Sequence, residues 1–141
     1  MKKIFYTAII ALSMQFGFAQ TADALTYVNN MGVTSQIQSV KEQLLPAVET
    51  GKQEDFNKEF DKAVNDFVTK LAKLIDDNYI SNDIVEANKK FNVTKEFVPS
   101  TPKDINLFQD KAQELQNEIG ITLQGLIMKY ADQAMLDAAQ E

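Results

Sequence analysis

Residues 54–77, EDFNKEFDKAVNDFVTKLAKLIDD, decide the fold class. Phe56, Phe60, Ala63, Val64, Phe67, Leu71, Leu74 and Ile75 return at steps of three and four. That period lines one face of an α-helix and cannot line one face of a strand. On the other side acids precede bases by one helical turn, Glu54 with Lys58 and Asp66 with Lys70. Such pairs add ~0.2–0.5 kcal/mol each to a helix. The phenylalanines read as core, because an apolar stripe at this period is what a helix buries.

The flanking segments keep the same period. Ala22–Met31 predicts a short helix with Leu25 and Val28 inward, ended by Gly32. Thr34 is placed to cap a second helix carrying Ile37, Val40, Leu44 and Val48. Pro46 lacks an amide proton and forces a kink or a stop near Leu45, and Gly51 closes the segment. After Asp77, Ser81 is expected to cap a short helix with Ile84, Ala87 and Phe91 inward, and Asp83 suits its positive end. Residues 92–100 read as an irregular connector. Thr101-Pro102-Lys103-Asp104 has the pattern of a helix start: a capping hydroxyl, proline at the first position and an acid three residues on. The last helix is expected from Pro102 to beyond Met135, with Phe108, Ala112, Leu115, Ile119, Leu123, Leu126, Tyr130 and Ala134 inward. The expectation is an all-α chain, a compact bundle of four to five helices with a long C-terminal helix.

The N-terminus reads as an address. Lys2 and Lys3 precede the apolar run Ile4–Leu12, and Gly17-Phe18-Ala19 puts small residues where a signal peptidase inspects. The expected cut follows Ala19, leaving residues 20–141 as a single domain in the bacterial periplasm or the medium. Ile4–Ala19, interrupted by Thr7, Ser13 and Gln15, falls short of the ~20 apolar residues a membrane span needs. No later stretch is long and apolar enough to span a bilayer, so the mature chain is expected to lack a transmembrane segment.

Composition narrows the chemistry. The chain holds no histidine, cysteine or tryptophan, and all 14 of its basic residues are lysines. Histidine- or cysteine-based nucleophiles, ordinary zinc or haem sites and thiol redox chemistry therefore have no residues to use. Without arginine there is no bidentate phosphate clamp. The net charge of −6 becomes more negative once the leader's lysines are gone, which repels nucleic acid. No cofactor is implied, no catalytic constellation is present, and the expectation is a non-enzyme. A disulfide-free exported chain of this length can still bury a sufficient core.

The acidic turn 76–83 invites a calcium reading. Against the EF-hand loop counted from Asp76, position five is Ile80, position six is Ser81 and position twelve is Ala87. Neither the turn glycine nor the bidentate glutamate is there. A surface calcium site remains the open alternative for this turn. The other carboxylates lie on expected solvent faces, and a carboxylate-dependent hydrolase is an alternative reading. Asn92-Val93-Thr94 fits the N-glycosylation pattern, which carries no meaning in a bacterial setting.

The last helix is two-faced. Behind its core stripe the first half is polar, with Asp110, Lys111, Glu114, Asn117 and Glu118. After Gly120 the back carries Ile121, Met128 and Met135, seven residues apart and roughly 180° from the core stripe. Three readings follow: burial on both sides within the bundle, a partner or self-association surface, or a groove for lipid or unfolded chain. Gly120 and Gly125 each cost about 1 kcal/mol relative to alanine inside a helix. A closely packed backbone, or a bend at Gly120, would account for them.

Tyr79-Ile80-Ser81 with Asp83-Ile84, Phe91, Thr101-Pro102 and the stretch Gly120–Leu123 resemble the secreted bacterial helical proteins grouped as domain of unknown function 2059. The first two long helices also resemble that family's N-terminal pair. The segment from Lys90 to Phe97 departs from it, lacking the family's proline and glycine after the short helix. The resemblance implies an exported, compact helical domain with no activity or cofactor to carry over. The functional expectation is an envelope-associated or protein-interaction domain. A carrier or holdase for apolar cargo is the first alternative.

Overall fold

The computed structural model describes residues 22–138, the side chains of Met135, Leu136 and Ala138 excepted. The expected leader and its cut at Ala19 lie outside the described residues. Among these residues five helices of nine residues or more follow one another: α1 (Ala22–Asn30), α2 (Val33–Leu44), α3 (Gln53–Asn78), α4 (Ser81–Thr94) and α5 (Ile105–Tyr130), before a six-residue α6 (Gln133–Ala138). Among the described residues there is no strand, and no helix is long and apolar enough to cross a membrane.

α3 is the axle. Phe56, Phe60, Val64, Phe67, Leu71 and Ile75 are buried as their period requires. Ala63 and Leu74 are half-buried, whereas Val68 and Ala72 are buried in addition. The covered arc is wide because α3 packs against α5 on one side and α1 on another. α1 in turn packs on α4, and its Tyr27 and Val28 are fully buried.

The sequence's stop signals act through identifiable bonds. α1 ends as expected at Gly32, whose φ of 77° is left-handed and favours a residue without Cβ. Pro46 ends α2 as expected, because Leu45–Ala47 tighten into one 3₁₀ turn. Thr34 does not cap α2; Gly32 holds that place, and the Thr34 hydroxyl is buried without a partner. Ser81 likewise lies inside α4, which starts from Ile80 without a side-chain cap. α4 runs one turn beyond Phe91, to Thr94, so the connector is shorter than 92–100 suggests.

Both ends of the last long helix need correction. It starts at Ile105, not Pro102, and Asp104 caps it by accepting the Leu107 amide at 3.0 Å. The Lys103 amide is drawn instead to the Asn78 carbonyl at 2.7 Å, which straps the connector to the end of α3. The helix also stops at Tyr130 rather than passing Met135. Val48 and Ala131 form an antiparallel bridge in which Glu49 N donates to Tyr130 O and Asp132 N to Ala47 O, both at 2.9 Å. Ala131 is thereby extended, and Asp132 accepts the Ala134 amide at 2.9 Å to begin α6. Ala134, expected inward, is exposed beyond the break.

An aromatic chain closes the end of the molecule where α3 meets the connector. Tyr27 lies 5.8 Å from Tyr79 and 5.1 Å from Phe97, and Tyr79 lies 5.1 Å from Phe108 (ring centroids). The Ser100 amide donates to the Tyr27 hydroxyl at 2.9 Å, fixing the connector over α1. Burial, with Tyr27 beside it, pushes the Tyr79 phenol up to about 12. Its raised value means that this packing contributes fully below the ordinary tyrosine range and is lost as pH rises through about 12.

The glycines of α5 are not explained by packing. A Cβ built on Gly120 or Gly125 meets nothing within 4 Å, so no backbone crosses closely at either. Gly120→Ala and Gly125→Ala are each expected to stabilise the isolated chain by about 0.5–1 kcal/mol, through the entropy of the unfolded state. Urea unfolding reads this directly, and a loss of stability at either site would contradict the open geometry.

Candidate interaction surface on the last long helix

α5 presents its core stripe to α3. Leu126 and Tyr130 are buried, while Phe108, Ala112, Leu115, Ile119 and Leu123 are half-buried along the contact. A polar clamp fixes the rotation of the helix at its C-terminal end. The Glu59 carboxylate on α3 accepts from Lys129 Nζ at 2.7 Å and from the Tyr130 hydroxyl at 2.5 Å. Hydrogen bonds from Lys129 first, then Tyr130, hold the Glu59 carboxyl below its ordinary value. The clamp is therefore complete above the ordinary glutamate range and is lost as pH falls through the lowered value.

With that rotation fixed, the back of α5 faces away from the core. Ile121 is 72% exposed and Met128 67% exposed, the first two of the three side chains in the expected line. The reading in which helices cover this line from both sides does not match their exposure. Met135 falls in α6, after the break at Ala131, so the spacing of seven no longer places it on the same helix. Its side chain is outside the described residues. Two residues not assigned from the sequence share this face. Leu107 and Gly125 each lie about 40° round the helix from Ile121, and Leu107 is 47% exposed. Gly125 leaves a shallow floor between Ile121 and Met128. The signal for both was present in the periodicity, but Glu114 interrupts the line between Leu107 and Ile121.

Beside this line, a groove of about 80 Å³ runs between α3 and α5. Ala63, Phe67, Leu115 and Ile119 floor it, and Asp66, Lys70, Glu118 and Thr122 edge it. Lys70 was expected to pair with Asp66 one turn away. It crosses instead to Glu118 on α5. The analogous pair, Glu54 with Lys58, does form at 2.9 Å, lowering the glutamate and raising the lysine.

The acidic turn spends its groups on local structure. Asp77 accepts from Lys73 at 2.7 Å, Asn78 Nδ2 donates to the Leu74 carbonyl at 2.8 Å, and Asp83 sits in the first turn of α4. No group of three or more acidic side chains converges to hold a metal ion among the described residues.

No family model, curated protein or solved structure matches the chain.

Proposed function

We propose that the chain is an exported, non-enzymatic interaction protein of the bacterial envelope or medium, whose long helix α5 carries the docking surface on a compact helical bundle. In this reading the leader is removed after Ala19 and the protein resembles domain of unknown function 2059. The single observation that carries it is the exposure of Ile121 and Met128 on a helix whose opposite side is packed and whose rotation is clamped by Glu59. Water-facing isoleucine and methionine at these positions contribute nothing to the core, and methionine adapts to irregular apolar partners. The Gly125 floor lets a second backbone approach. The groove beside the line supports a surface partner over an engulfed cargo. Its volume of about 80 Å³ is well below the ~300–1,000 Å³ of ordinary ligand pockets.

Met128→Glu tests the proposal. The variant is expected to keep its unfolding free energy within about 0.5 kcal/mol of the parent, as an exposed substitution does. It is expected to lose the partner that the parent retains in crosslinking from intact cells of the native host. Unfolding of the variant would assign Met128 to the core and end the surface reading.

A further inference from the structure

The groove between α3 and α5 combines an apolar floor with an unspent charge. Because Lys70 is drawn across to Glu118, the Asp66 carboxylate has no ion pair among the described residues. It stands at the edge of a slot floored by Phe67 and Ile119. The matching ligand has a slender apolar stem and a cationic head, the two halves of an alkylammonium. The groove, about 80 Å³ and open to solvent along one side, has room for a slender chain laid along its floor with the head at the rim. The overall charge of −6 draws cations to the surface and works against a second copy of the same acidic chain.

We propose that this groove seats a lysine side chain of the protein that docks on Ile121 and Met128. The inference rests on the docking surface described above, since Glu118 and Thr122 lie within one turn of Ile121 on α5. The apolar line supplies contact area, and the slot supplies the charge selection that a small apolar patch lacks. A partner with a lysine beside an apolar pair fits; one with an acid there meets the Asp66 carboxylate, since Glu118 is already paired with Lys70, and is disfavoured.

The probe is n-butylammonium, titrated into the full chain and followed by amide chemical shifts. Saturable shifts are expected at Asp66, Phe67 and Thr122. Asp66→Asn, an exposed change that leaves the fold intact, is expected to weaken binding by up to about fivefold. Neutral 1-butanol should produce no such saturation. Equal shifts with butanol, or an unchanged titration in Asp66→Asn, would overturn the assignment. Met128→Glu should leave the butylammonium titration unchanged. A silent groove alongside partner loss in Met128→Glu removes the lysine slot and leaves the docking surface standing.

Discussion

Phe60→Ala is expected to lower the free energy of unfolding by about 3–5 kcal/mol. The ring is 0% exposed, sits 5.6 Å from the Phe56 ring, and lies beneath the Lys41 ammonium of α2 at 5.9 Å from its centroid. Truncation removes the transfer energy of the ring and leaves a cavity that α2 and α3 can only partly close. A domain of this size holds about 5–15 kcal/mol in all, so the variant sits near the edge of folding. Phe60→Leu, which refills most of the volume, is expected to cost distinctly less. Urea unfolding of both variants reads the difference. A Phe60→Ala cost below about 1 kcal/mol would mean that α3 is not the centre of the core.

The second large effect belongs to a polar residue. Asn88 is 6% exposed and ties α4 to α1: its Oδ1 accepts from Asn30 Nδ2 at 3.0 Å, and its Nδ2 donates to the Asp23 carbonyl at 2.9 Å. Asn88→Ala removes both bonds at once from a part-buried contact, which costs about 1–3 kcal/mol. Asn30→Ala breaks only the first bond and is expected to cost less. In the double variant the two losses should not add, because they share one interaction. Full additivity would show that the two side chains are not coupled.

These two residues mark where periodicity is legible and where it is not. Phe60 lies on a stripe that any reading at steps of three and four finds, and α3 follows that stripe almost to the residue. Gly32 and Pro46 act locally, through a positive φ and a missing amide proton, so both stops are visible in the sequence. Asn88 shares its helical face with Ile84, yet its partners lie in α1, far away along the chain. The ends of α5 fail for the same reason. The Lys103 amide is claimed by Asn78, and Tyr130 and Asp132 are claimed by Glu49 and Ala47. None of these bonds leaves a local mark, although Asp104 and Asp132 are both competent caps. Of the candidate surface, Ile121 and Met128 were legible from their spacing. The diversion of Lys70 from Asp66 to Glu118 was not, because a side chain one turn away competes there with one on another helix.

The central claim is that the back of α5 is uncovered in the folded chain, and the thioether of Met128 reports on it directly. Dilute purified protein can be treated with hydrogen peroxide under native conditions and the sulfoxide at each methionine followed by peptide mapping. Met128 is expected to oxidise at close to the rate of free methionine and well ahead of half-buried Met31. A Met128 that resists oxidation as strongly as Met31 would show that the line is covered, and the docking surface would have to be abandoned.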